Sequence, residues 1–329
     1  MKYRKLGRTG IKVSRVAMGC WALAGGSTWG SQDEADSIAT VRAALDAGVN
    51  FFDTAEGYED GVSELVLGRA LAGRRHEAVI ATKVSRSNLS GDEVQQACER
   101  SLQRLQTDYI DLYQIHWPSR TIPLGMTMAA LQKLHEQGKV RAIGACNFGE
   151  KDLSDLLKIG WVETNQLPYS LLWRAVEYQI RQKCIDEGTG ILCYSPLAQG
   201  LLTGKFSSPD EVPAGRARTR LFSRNRPQTR HNESGCETEA FAAVERIGHL
   251  CDTIHQPMAK VAVAWLLKQP GVTSVIAGAR KPDQIRQTVQ AADLELSPEM
   301  IAQLTVATDE VKQKLGPNPD MWQPKSRFR

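Results

Sequence analysis

The sequence predicts an α/β fold, a (β/α)8 TIM barrel, on three observations. Short apolar runs rich in Val and Ile alternate with amphipathic stretches, the alternation reaches eight units, and no Gly-x-Gly-x-x-Gly follows the first strand. Continuous apolar strands between helices mean a parallel sheet covered on both faces. Eight such units favour closing that sheet into a barrel. The missing glycine signature argues against the open, doubly wound alternative. The expected elaborations are an N-terminal hairpin plug, a long loop after strand seven and two extra C-terminal helices, all in one domain spanning 1–329.

The elements justify themselves in order. Tyr3 to Ser14 holds two short alternating runs around Gly7-Arg8-Thr9-Gly10, a small hairpin placed to plug one end of the barrel. Strands are expected at 16–20, 49–53, 78–82, 109–115, 141–145, 162–166, 190–194 and 273–277. Helices are expected at 34–47, 61–72, 91–105, 127–137, 150–158, 174–187, 237–254 and 258–268. In the first helix Ile38, Val41, Ala44 and Leu45 recur at helical spacing, with Gly48 as a C-terminal cap. In the third, Ser90 and Glu93 have the spacing of a capping box. Two further helices, 282–291 and 297–313, precede an irregular Gly/Pro tail around Gly316-Pro317-Asn318-Pro319.

Composition narrows the functional classes. The chain is 42% hydrophobic and 24% charged, an ordinary globular balance that excludes disorder and fibrous repeats. No apolar run is long enough to cross a bilayer, and no signal-like segment follows the N-terminus, so a cytoplasmic protein without a membrane partner is expected. Seven scattered cysteines without a Cys-x-x-Cys pair read as reduced thiols, and no metal is expected. A formal charge of +4, from 41 basic and 37 acidic side chains, is too small to imply nucleic acid.

In such a barrel the chemistry gathers at the C-terminal ends of the strands. There the sequence places Asp53, then Lys83, then His116 followed by Trp117, with Tyr58 just beyond Asp53. An ammonium beside a phenol stabilises the phenolate, so Lys83, paired to Asp53, is expected to lower the pKa of Tyr58 and make it a usable acid. His116 can donate to a substrate oxygen and orient it toward Tyr58. The set suits reduction of a carbonyl.

At this point the sequence resembles the aldo-keto reductase superfamily over nearly its whole length. The matching pieces are Phe52-Asp53-Thr54-Ala55-Glu56-Gly57-Tyr58, Ala81-Thr82-Lys83, Gln114-Ile115-His116-Trp117, Gly144-Ala145-Cys146-Asn147-Phe148, Asn165-Gln166-Leu167-Pro168-Tyr169-Ser170 and Tyr194-Ser195-Pro196-Leu197. It looks closest to the bacterial branch that also resembles the β-subunits of voltage-gated potassium channels. The resemblance implies a tetrad of Asp53, Tyr58, Lys83 and His116, with Tyr58 as general acid. It also implies a nicotinamide at the barrel mouth. Asn147 and Gln166 would hold its carboxamide, Tyr194 would stack on its ring, and Asp53, Gly19 and Trp21 would lie beside it.

The pyrophosphate would meet the segment Ser195, Pro196, Leu197, Gln199, Gly200 to Lys205, whose small residues let backbone amides approach an anion. Ala198 stands where the family more often has glycine. After the eighth strand, Gly278, Arg280 and Gln284 open a helix, and Arg280 can pair with a 2′-phosphate. Where the family often has Asn or Glu against the adenine, Gln287 and Thr288 stand here. NADP(H) is therefore expected over NAD(H), mainly on Arg280 and Lys281.

Trp21, Trp29, Tyr58, His116 and Trp117 are the expected substrate wall, with Trp173 a further candidate. The loop from about 200 to 236 carries Arg216, Arg218, Arg220, Arg224, Arg226 and Arg230 with no acid between Glu211 and Glu233. A solvated face is the first expectation for it and a lid over cofactor phosphates the second. Recognition of a phosphorylated substrate or of nucleic acid ranks below both, the run lacking interleaved aromatics that would stack bases. The functional expectation is a reversible reductase of small aldehydes, ketones or sugar carbonyls. The alternative is a redox-sensing regulatory or binding subunit of the channel-associated kind with slow turnover.

Overall fold

The computed structural model describes residues 1–329. Strands β1 (Tyr3–Lys5) and β2 (Lys12–Ser14) form an antiparallel hairpin. The eight barrel strands are β3 (Val16–Gly19), β4 (Phe51–Asp53), β5 (Val79–Val84), β6 (Leu112–Ile115), β7 (Ile143–Cys146), β8 (Thr164–Pro168), β9 (Gly190–Tyr194) and β10 (Val272–Gly278). All pair in parallel, each with its sequence neighbour, and β10 closes the ring by pairing with both β9 and β3. This is the expected barrel.

Leu6, Ile11 and Val13 of the hairpin region join Ala17, Phe51, Val79, Ala81, Leu112, Ala142, Leu192 and Ile276 in one apolar cluster. The hairpin thus seals the barrel end opposite the strand C-termini. The larger core lies between strands and surrounding helices, where for example Val94, Ala97, Leu102 and Leu105 of helix Gly91–Leu105 are buried.

Several local details differ from expectation. Ser90 does not cap its helix through a backbone amide; its hydroxyl donates to Glu93 Oε2 at 2.6 Å instead. The stretch 174–187 is a 3-10 turn, Ala175–Glu177, and a shorter helix, Ile180–Asp186. The stretch 297–313 breaks into Pro298–Val306 and Asp309–Leu315. The break lies where Arg174 Nη1 donates to Thr305 O at 2.7 Å and to Thr308 Oγ1 at 3.1 Å, a competing partner for carbonyls at a helix end. Gly48, at φ 83°, ends its helix as expected.

The loop 200–236 is a solvated face only in part, at Arg224 and Arg230; Arg216, Arg218 and Arg226 are half-buried and Arg220 is buried. It packs across the open end of the barrel as a strap. Arg220 is 4% exposed, bonded to Glu233 at 2.8 Å and to the carbonyls of Leu315, Asn318 and Asp320. No helix is long and apolar enough to cross a membrane.

Candidate active site

Strand register brings the expected residues together. Asp53 stands beside Gly19 and Ala81, Lys83 beside Gln114, and Cys146 beside Gln166. Gly144, opposite Gln114, leaves the space that Gln114 fills: a Cβ there would lie 2.9 Å from Gln114 Cγ and 2.7 Å from Thr164 Oγ1.

Lys83 is fully buried, and its ammonium donates to Asp53 Oδ1 at 2.7 Å, Thr54 O at 2.6 Å and Tyr58 Oη at 3.1 Å. The other carboxylate oxygen of Asp53 accepts from Gln166 Nε2 at 2.7 Å and Gln114 Nε2 at 3.3 Å. A buried ion pair is sustainable when its remaining valences are filled in this way. Burial pulls the pKa of Lys83 down, but the charge and the hydrogen bond of the Asp53 carboxylate oppose it and the ammonium is held charged.

Tyr58 departs from the expected direction. Its pKa is pushed up to about 12, because burial of the phenolate outweighs the pull of Lys83. The phenol therefore keeps its proton throughout the neutral range. His116 meets it edge-on, ring centroids 5.8 Å apart, and burial with the Lys83 charge lowers the imidazole pKa to about 3. His116 is thus a neutral hydrogen-bonding group.

The loop carrying Tyr58 is fixed by two side chains that sequence reading passed over. Glu56 accepts from Ser85 N at 2.7 Å and Asn88 Nδ2 at 2.9 Å, and Thr54 Oγ1 donates to Ser63, which donates to Cys20 O. Trp21 stacks on Tyr58 with centroids 5.6 Å apart, and Trp29 meets Trp21 edge-on at 5.4 Å. Trp173 is fully buried and donates to Pro319 O, so it belongs to the core and not to the substrate wall.

These residues open into a cavity of about 1000 Å³. Its lining includes Gly19, Trp21, Trp29, Asp53, Tyr58, His116, Trp117, Asn147, Gln166, Tyr194, Ser195, Pro196, Leu197, Gln199, Gly200, Lys205, Gly278, Arg280 and Gln284, while Lys83 lies behind Asp53. Asn147 donates to His116 O at 2.9 Å and accepts from Tyr194 Oη at 3.0 Å. At the far end, Lys205, Arg216 and Arg280 gather, and mutual repulsion adds to burial in holding Lys205 and Arg216 below their ordinary pKa values. Backbone runs left-handed at Ser195, Ala198, Gln199 and Gly200, with Ala198 at φ 46°. That conformation explains why glycine suits position 198 better than alanine.

Arg280 is engaged within the chain: Nε donates to Gln32 Oε1 at 2.7 Å, Nη1 to Trp29 O at 2.8 Å and Nη2 to Ser31 O. It ties the loop bearing Trp29 to the end of β10.

Residues 15–309 match the model of the Aldo/keto reductase family. The chain belongs to that family. Its relatives include the NADH-specific methylglyoxal reductase of Escherichia coli, 36% identical over 90% of this chain and 95% of that protein. They also include a probable voltage-gated potassium channel subunit beta of rice, 30% identical over 92% of this chain and 94% of the other. An aldo-keto reductase from Klebsiella pneumoniae, solved in complex with NADPH, superposes with a TM-score of 0.71 at 30% identity, covering 97% of this chain and 94% of that one.

Proposed function

We propose that this family member reduces small aldehydes, ketones or sugar carbonyls with NADP(H), reversibly, and that Asp53, Tyr58, Lys83 and His116 carry the proton chemistry. The observation that carries this reading is the buried Lys83 ammonium touching both the Asp53 carboxylate and the Tyr58 phenol.

The cavity residues fit a nicotinamide dinucleotide. Gln199 Oε1, Arg216 Nε, Arg218 Nε and Trp29 Nε1 are buried polar atoms without a partner in the chain, and all four residues line this one cavity. Such atoms call for a polar ligand. Asn147 and Gln166 would hold the carboxamide beside Tyr194, and Lys205, Arg216 and Arg280 would hold the phosphates. When bound, the nicotinamide supplies the hydride that the carbonyl carbon receives.

The chain's own residues do the rest. His116, neutral, orients the carbonyl oxygen toward Tyr58. The Tyr58 O–H bond breaks as the proton passes to that oxygen, and the phenolate left behind sits 3.1 Å from the Lys83 ammonium. Asp53 keeps Lys83 charged and in place. Trp21, Trp29 and Trp117 keep water from the carbonyl.

NADP(H) over NAD(H) rests on Arg280 exchanging carbonyl acceptors for a phosphate, a stronger charge-assisted bond. Equal kcat/KM with NADPH and NADH would count against it. The decisive experiment is a carbonyl panel with NADPH, comparing wild type with Tyr58→Phe. Removing a general acid should lower kcat about 10²- to 10⁴-fold, and retained turnover would overturn the proton assignment.

A further inference from the structure

The arginines of the strap divide by what they touch. Arg220 and Arg226 are spent on structure, the latter paired with Glu237 and Asp210 at 2.9 Å. Arg216 faces Arg280 and the Gly200–Lys205 segment, at the phosphate end. Arg224 is exposed and donates to Asn232 O at 3.1 Å. Arg218 and Arg230 remain, both lining the cavity and neither within ion-pair distance of a carboxylate. Arg218 is half-buried, its Nη2 donates only to Thr28 Oγ1 at 3.3 Å, and its Nε is buried without a partner.

Two routes connect Arg218 to the reacting groups. Thr28 precedes Trp29, which meets Trp21, which stacks on Tyr58. On the other side, the Arg218 guanidinium lies 4.9 Å from the Trp322 ring centroid. Trp322 N donates to Asp320, Asp320 binds Arg327 at 2.6 Å, and Arg327 stacks 3.7 Å over Trp117, next to His116. Arg218 therefore roofs the substrate side, while Asp320 neutralises Arg327 there. Arg230, itself exposed, lines the same cavity as Arg218, and burial together with the Arg230 charge holds the Arg218 pKa below its ordinary value.

We propose that Arg218 and Arg230 form an anion subsite in the substrate pocket, and that the preferred substrates are carbonyl compounds carrying a carboxylate or phosphate remote from the carbonyl. A half-buried Arg218 whose Nε has no partner, with the exposed Arg230 lining the same cavity, is completed when an anion lies between the two guanidiniums, and each can then bind it bidentately. The subsite rests on the carbonyl-reductase reading and adds a substrate class to it.

The test uses matched pairs with the NADPH-loaded enzyme: 4-oxobutanoate against butanal for the carboxylate, and glyceraldehyde 3-phosphate against glyceraldehyde for the phosphate. The wild type should favour one or both anions in kcat/KM by about 10- to 100-fold, the worth of a hydrogen bond to a charged group. Arg218→Gln combined with Arg230→Gln should collapse that ratio. Titration calorimetry of the NADP+-loaded protein with the same four compounds reads the subsite without turnover. Tighter binding of an anion with no reduction of any compound would uphold the subsite and sink the reductase reading. Equal kcat/KM and equal binding within both pairs would overturn the subsite while leaving the reductase reading intact. A raised KM for NADPH in the double variant, with the ratio unchanged, would assign both arginines to the cofactor and also overturn it.

Discussion

The floor and the roof of the cavity are built on opposite principles. On the floor, the valences of Lys83 and Asp53 are filled by Thr54, Tyr58, Gln114 and Gln166. Across the roof, Arg216 and Arg218 keep buried nitrogens without partners and face other cations. A saturated network is rigid and holds its geometry before any ligand arrives, whereas an unsaturated cationic one is completed by the ligand's own charge. On the proposed function, the floor would set the reaction and the roof would select what is held there.

The comparison can be broken most sharply at Lys83. Lys83→Met leaves the Asp53 carboxylate buried without its cation and should cost about 3–5 kcal/mol of stability, together with turnover, read by chemical denaturation and by steady-state assay. A variant as stable as wild type would show that the floor is not a coupled network.

The next effect falls within the strap. Arg220→Ala orphans the carbonyls of Leu315, Asn318 and Asp320 and should cost roughly 2–3 kcal/mol, whereas Arg218→Gln should stay within about 0.5 kcal/mol. Equal losses in thermal unfolding would erase the division between structural and ligand-facing arginines.

A pH series sharpens the contrast. His116 titrates near 3 when folded and near 6.5 when unfolded, so the unfolded chain binds the proton that the folded one refuses. Its contribution is intact above about pH 6.5 and is lost as pH falls toward 3. His116→Gln should flatten that acid limb of stability. Turnover by Tyr58, whose proton is held to about 12, should show no basic limb below about pH 10.

The smallest effect is expected at Ala198, held at φ 46°. Ala198→Gly should raise stability by about 1 kcal/mol. A loss would show that the methyl group packs well enough to offset the strained backbone.

Most of the floor was legible in the sequence. Asp53, Lys83 and His116 end consecutive apolar strands, and a polar residue at such a position has few purposes in a barrel. Gln114 lies within a strand and looked like part of it; its role depends on Gly144 leaving room beside it. Glu56 lies in a motif that gives it no visible task, because its partners Ser85 and Asn88 come from another strand's loop. The net direction of the Tyr58 shift was also out of reach, since Lys83 could be named from the sequence but the depth of burial opposing it could not.

The sequence by itself determined the barrel, its hairpin plug, the order of its strands and the residues at their ends. These follow from hydrophobic periodicity and strand alternation, which are properties of neighbours along the chain. Only the tertiary structure decided that the strap lies over the cavity, that Arg216 and Arg218 face the cavity while Arg220 serves the core, and that Trp173 is core while Trp322 is wall. Those assignments depend on which distant carboxylate, carbonyl or ring each side chain meets, and a pairing across a hundred residues leaves no trace in local pattern.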